Sequence, residues 1–195
     1  MASYFSDRAF TDYIHKNVAI PKVYTQIGWK EVNVDSDYLQ HIDMTKGIDY
    51  VFEDNGNEIN VQERFRDSQY SKYCDFTIRY RRDKNPHEER IQSEFYKMKA
   101  KYFVYGITNG SKRNLSSCTN FLKWAIIDLK KVYEKWERGD IIIRDNGRNT
   151  CTIEDRKIIC PVKYNRDDSS NFFPIEIPFL TRLWGDEMII FSKGF

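Results

Sequence analysis

Between Gly47 and Arg66 the chain alternates apolar and polar residues with the period of a half-buried strand, and the alternation breaks once, at Asp54-Asn55-Gly56-Asn57. Gly and Asn tolerate positive φ, and β-branched or aromatic residues flank them, so two strands joined by a tight turn are predicted. On the second strand Ile59, Val61 and Phe65 share a face with Glu63, while Asn60, Gln62, Arg64 and Arg66 share the other. Farther on, Cys74 to Arg82 alternates Phe76, Ile78 and Tyr80 against Thr77, Arg79 and Arg81, which predicts a third strand antiparallel to the second. The run from Tyr102 to Asn109 predicts a buried strand.

Helical spacing is predicted in three places. Phe10, Tyr13, Ile14 and Val18 mark a helix from Ser6 to about Val18, with Ser6 as N-cap and Pro21 as its stop. Ile91, Phe95 and Met98 mark a second from Glu88 to Ala100. A third, from Thr119 to Arg138, carries Leu122, Ala125, Ile126, Leu129, Val132, Tyr133 and Trp136 and ends at Gly139. The C-terminal third predicts strands around a turn at Asp145-Asn146-Gly147, a short strand from Ile158 to Val162, and two extended segments around Pro174, Pro178 and Met188 to Phe191. No internal repeat or low-complexity tract interrupts this order.

One constellation carries chemistry. Asp49 opens the first strand of the hairpin, and thirteen residues later come Gln62, Glu63 and Arg64. This arrangement resembles the PD-(D/E)XK nuclease superfamily, with Asp49 at the first acidic position, Gln62 at the second, and Arg64 at the Lys position. Glu63 is the alternative carboxylate, one residue on. Gln is an occasional substitute in that superfamily, whereas Arg for Lys is a larger departure because Arg stays charged and cannot act as a base. The order helix, hairpin, third strand, helix, strand is similar to the restriction-endonuclease-like αβββαβ core. The resemblance covers about residues 5–110 and implies an α/β fold of the α+β, mixed-sheet kind, followed by the long helix 119–138 and a β-rich extension 139–195 within a single domain 1–195.

The resemblance implies hydrolysis of DNA phosphodiester bonds by a restriction-type or phage-linked endonuclease that uses Mg²⁺ or Mn²⁺. Such chemistry needs a metal on hard oxygen ligands, an activated water and a cation for the phosphorane-like transition state. Asp49, an oxygen of Gln62 or Glu63, and a backbone carbonyl of the second strand are then the expected metal ligands, with Arg64 on the phosphate. Asp12 on the first helix is a further acidic residue of the kind the superfamily uses, although a solvated helix face accounts for it better. Cutting both strands of a duplex calls for two sites, which implies a homodimer. The same substitutions also suit a domain that has lost catalysis and binds nucleic acid or a protein partner.

Composition narrows this picture. Lys and Arg number 31 against 29 Asp and Glu, a net charge of +2, so nucleic-acid binding must come from a local patch rather than from bulk charge. Arg64, Arg66, Arg79, Arg81 and Arg82, interleaved with Tyr70, Tyr73 and Tyr80, are the expected patch, with Lys97 and Lys99 as candidates for the DNA backbone. Internal pairing of Arg64, Arg66 and Arg79 would instead favour a purely structural role. No apolar run reaches the length of a membrane span and the N-terminus lacks signal-peptide order, so a cytoplasmic protein without membrane contact is expected. Cys74, Cys118, Cys151 and Cys160 contain no CxxC pair; Cys151 and Cys160 can meet across a hairpin, but free thiols are expected. There is no GxxxxGK[ST], GxGxxG, GxSxG or HExxH, and His15, His41 and His87 are scattered.

Overall fold

The computed structural model describes residues 4–82, 93–145, 147–165 and 170–195, with side chains described from residue 7 onward. Its frame is a mixed six-stranded sheet. In spatial order it contains β1 (Lys30–Glu31), β2 (Tyr50–Asp54), β3 (Asn57–Arg66), β5 (Tyr102–Thr108), β6 (Phe121–Asp128) and β12 (Ile189–Lys193). All neighbours are antiparallel except β3 and β5, which run parallel, Val61 beside Tyr102 and Arg66 beside Ile107. The predicted hairpin is present: Asn55 and Gly56 both take positive φ, 50° and 79°, and Asp54 pairs with Asn57.

One face of the sheet is covered by the N-terminal helix α1 (Tyr4–Ile14), which continues through wide π-type turns over His15–Tyr24 and a last turn, α2 (Thr25–Ile27), to Gly28 at φ 82°. The predicted stop at Pro21 is therefore corrected. Widened turns change which carbonyl each N–H must meet, so the ring is tolerated inside the helix. These turns place His15, Val18, Ala19, Val23 and Tyr24 against Phe52, Val61, Phe65 and Val104 of the sheet.

The opposite face is covered by a larger apolar cluster that joins Ile42, Phe76, Phe95, Phe103, Ile127, Cys160, Phe173, Leu180 and Ile189. Ile42 comes from α3 (Ser36–Lys46), which the sequence pattern did not predict. Asp35 caps it by accepting from the Asp37 and Tyr38 N–H groups at 3.0 and 3.1 Å, and Gly47 ends it at φ 57°.

Three of the expected elements are corrected first. The strand β4 (Asp75–Arg81) does not pair with β3, whose two edges are taken by β2 and β5; it joins β11 (Asn171–Glu176) and β10 (Lys163–Tyr164) in a second sheet. The predicted helix 119–138 is β6 followed by α5 (Leu129–Glu137), with Asp128 as N-cap to the Lys131 N–H at 3.2 Å. Buried between two neighbours, β6 is apolar on both faces, and a continuous apolar run carries no periodicity to separate strand from helix. Of the predicted helix 88–100, residues 88–92 lie outside the described set, and the described helix α4 is only Glu94–Lys97, with Met98 extended and the Lys99 N–H bonded to the Lys46 carbonyl at 2.6 Å.

The C-terminal third is less extended than predicted. β7 (Ile141–Arg144) and β8 (Thr152–Glu154) do not pair with each other; both flank β9 (Lys157–Pro161), parallel and antiparallel respectively. α6 (Ile177–Trp184) replaces the extended segment after Pro174, and β12 closes the main sheet. No helix among the described residues is long and apolar enough to cross a membrane.

Gly47 is the joint that delivers Asp49 to the sheet. A Cβ there would meet Met98 Cα at 3.3 Å and Gln62 Oε1 at 3.4 Å, on a backbone already left-handed. Gly47→Ala is expected to cost about 1–2 kcal/mol, read as a lowered urea midpoint, whereas Glu58→Ala, at an exposed position, should leave the midpoint nearly unchanged.

Candidate functional site

Strand β3 carries three consecutive polar side chains, Gln62, Glu63 and Arg64, at the centre of the sheet, and alternation sends them to two faces. On the α3 and α4 side, the Asp49 N–H continues the hairpin ladder to the Val61 carbonyl at 2.8 Å. Its carboxylate turns back across β3. Oδ2 accepts from the Glu63 backbone N–H at 2.8 Å and from the Gln62 side-chain amide at 2.7 Å. The same amide reaches the Glu63 carbonyl at 3.4 Å, so Asp49, Gln62 and that carbonyl converge on one point.

The residue Asp49 is half-buried, but its carboxylate lies deep. Desolvation, the largest influence, holds its pKa well above the ordinary 3.8; the Glu63 N–H opposes this, and the Asp43, Glu63 and Glu94 carboxylates add to it. Each of those three neighbours has its own cationic or imidazole partner: Asp43 bonds Arg8 at 3.3 Å, Glu63 bonds His15, and Glu94 Oε2 bonds Arg64 at 2.8 Å. Asp49 is held by neutral donors alone. Glu94 Oε1 is buried without a hydrogen-bond partner.

Arg64 lies on this face as well. Its guanidinium donates to the Thr77 carbonyl at 2.6 Å and to Glu94, and desolvation lowers its pKa against the pull of Glu94, helped by repulsion from Arg66 and Arg79. Arg66 donates to Thr77 Oγ at 2.9 Å and covers the Tyr70 ring at 4.8 Å. Thus Arg64 is internally paired, Arg66 partly so, and β4 supports both from outside the main sheet.

Glu63 faces the other way. Its side chain has no solvent exposure, accepts from His15 Nδ1 at 2.9 and 3.0 Å on its two oxygens, and accepts the Tyr24 hydroxyl. His15 stacks on Tyr50, centroids 3.5 Å apart and planes within 2°, with Nε2 3.4 Å from Glu31. Desolvation works to lower the His15 pKa, but the Glu63 hydrogen bond and charge, with Glu31, outweigh it and the net shift is upward. Burial and Glu63 raise the Tyr24 hydroxyl well above its usual value.

Of the sequence-predicted residues, Asp49, Gln62 and Arg64 come together on one face, and the Glu63 carboxylate does not join them. Asp12 pairs with Arg8 at 3.1 Å on the helix surface. Arg79 is half-buried on β4; Arg81 is exposed at its end, its N–H bonded to Asn171 at 2.7 Å; Lys97 is exposed at the end of α4. Tyr80 packs against Phe95, Tyr96 and Phe173 rather than presenting a free ring. Sequence reasoning missed Glu94, His15 and Tyr24, which reach β3 from distant segments and leave no local spacing to detect.

Among the described residues no group of three or more His, Cys, Asp or Glu side chains is arranged to hold a metal ion. The donors on the Asp49 face are instead two carboxylates, an amide and a carbonyl. Comparison with family models, with curated proteins and with solved structures gives no significant match.

Because Asp49 binds its proton more tightly folded than unfolded, its contribution to stability is full below the ordinary 3.8 and is lost as pH rises through the raised folded value. Asp49→Asn keeps an oxygen acceptor and removes the buried charge. Its denaturation midpoint is expected to exceed wild type at neutral pH, with the gain vanishing in acid.

Proposed function

We propose that the chain is a metal-dependent nuclease acting on DNA, built on a sheet of the restriction-endonuclease-like kind. The observation that carries this reading is the Asp49 carboxylate, buried with no cation hydrogen-bonded to it, under the influence of three other carboxylates, one of which, Glu94, keeps a buried oxygen without a partner. Uncompensated charge of this sort is relieved by a bound cation and is otherwise a stability cost. The strand order supports it too: β1, β2 and β3 form an antiparallel run, and β5 returns parallel to β3 after a crossover, with a helix at the N-terminus.

Hard oxygen donors suit Mg²⁺ or Mn²⁺, so Asp49, Glu94, the Glu63 carbonyl and Gln62, after rotation of its amide, are the groups that would hold the ion. The ion would supply Lewis-acid stabilisation of the scissile phosphate. Arg64, clamped by Glu94 and Thr77, is a fixed positive charge beside the site and donates no proton. Arg66, Tyr70, Lys72, Tyr73 and Lys123 form a linked cationic and aromatic surface: Lys72 covers the Tyr73 ring at 5.2 Å, and Lys123 bonds the Tyr73 carbonyl at 3.1 Å. Such a surface suits phosphate contact and base stacking.

A second reading, a nuclease-like domain that binds without cutting, draws on the Gln62 amide, whose N–H donors already fill the space between Asp49 and the Glu63 carbonyl. Plasmid and single-stranded DNA incubated with Mg²⁺ or Mn²⁺ separate the two. Cutting that falls at least ~100-fold in Asp49→Asn, a variant expected to fold well, supports the nuclease; salt-sensitive binding without cutting in either protein supports the second reading. Arg66→Ala is expected to lower the slope of log affinity against log salt by about 1, whichever reading holds; an unchanged slope removes Arg66 from the interface.

A further inference from the structure

The two thiols Cys151 and Cys160 lie outside the site and independent of it. The β8–β9 hairpin turns at Asp155 and Arg156, both at positive φ, 48° and 63°, and the register runs Glu154 with Lys157, Ile153 with Ile158 and Thr152 with Ile159. The turn's own hydrogen bond makes Glu154 and Lys157 a hydrogen-bonded pair. Hydrogen-bonded and non-hydrogen-bonded pairs alternate along an antiparallel ladder, so one step beyond Thr152 and Ile159 the register sets Cys151 opposite Cys160 at a non-hydrogen-bonded position. There the Cα atoms of partners stand about 4.5 Å apart, inside the span a disulfide needs.

The side chains agree with the register. Cys151 is the largest influence raising the Cys160 thiol well above its ordinary value, with burial next; both thiols are free, and Cys151 donates to the Pro174 carbonyl at 3.1 Å. Cys118, by contrast, accepts from the Thr108 hydroxyl at 3.5 Å and donates to the Ser111 carbonyl at 3.7 Å. Cys151 is 5% exposed and Cys160 fully buried, so Cys151 is the sulfur a reagent reaches first.

We propose that Cys151 and Cys160 are a redox pair, converted by a small-molecule disulfide into one intramolecular disulfide that staples the β8–β9 hairpin. Cys151, as thiolate, attacks one sulfur of the reagent and releases one equivalent of its thiol. Cys160 then gives up its proton and attacks the Cys151 sulfur, releasing the second equivalent. Two protein S–H bonds and the reagent S–S bond are replaced by one protein S–S bond and two reagent S–H bonds, and the two electrons lost by the protein sulfurs reduce the reagent. Oxidation also removes the thiol donor from the Pro174 carbonyl of β11, the strand that pairs with β4.

The test equilibrates the full chain with glutathione and glutathione disulfide, traps remaining thiols with an alkylating agent after denaturation, and maps the peptides by mass spectrometry. The expected product is the protein minus two hydrogens, with Cys151 joined to Cys160, Cys74 and Cys118 alkylated, and a Tm about 5 °C or more above the reduced form. Cys160→Ser is expected to stop at a glutathione adduct on Cys151. Full alkylation of Cys151 and Cys160 in the wild type at the most oxidising ratio, a stable glutathione adduct there, or pairing of either with Cys74 or Cys118 overturns the proposal.

Discussion

Three consecutive polar side chains at the centre of a sheet covered on both faces constrain the whole molecule. Each must find a partner inside the protein, since a buried unpaired polar or charged group costs more than its burial returns. Gln62 finds Asp49, Glu63 finds His15 and Tyr24, and Arg64 finds Glu94 and Thr77. The partners come from the N-terminal helix, the α3–β2 junction, β4 and α4. Segments far apart in sequence are thereby tied to one strand, and the polar row specifies how the layers lie across the sheet.

The two faces solve the problem differently. On the helix face, Glu63 receives an imidazole donor and a phenol donor with no solvent exposure, which fixes the backbone of β3 at residues 62–64, while His15 Nε2 is buried without a hydrogen-bond partner, 3.4 Å from Glu31. On the other face the arrangement stays open: Asp49 has two neutral donors, Glu94 keeps one oxygen unpartnered, and a cation bonds Glu94 through Arg64 whereas Arg8 acts on Asp49 only through space. A carboxylate paired on both oxygens behind and one held by neutral donors in front is the division expected where a rigid strand presents functional groups.

Much of this was legible in sequence, and the failures share a cause. The β2–β3 hairpin and the facing of Gln62 and Arg64 follow from alternation and from Asn55-Gly56, because those segments have one wetter face or a turn with a strict backbone demand, whereas β5, buried on both faces, was legible as a short apolar run. β6 was misread because Trp124, Ala125, Ile126 and Ile127 are buried on both sides and fall by chance at helical spacing with Leu129, Val132 and Trp136. β4 was given the wrong neighbour because alternation reports a strand but not its partner, and β11 is about ninety residues away. Glu94 and His15 were invisible for the same reason: their chemistry arises only when distant segments meet on β3.

The claim on which the account rests is that the Asp49 face is short of positive charge and accepts a divalent cation. Thermal unfolding with increasing Mn²⁺, compared among wild type, Asp49→Asn and Glu94→Gln, reads this directly, since a ligand bound only by the folded state raises Tm progressively with its concentration. The account predicts a concentration-dependent rise in wild type that is lost in Asp49→Asn and reduced in Glu94→Gln. No rise in wild type, or an equal rise in all three proteins, would contradict it.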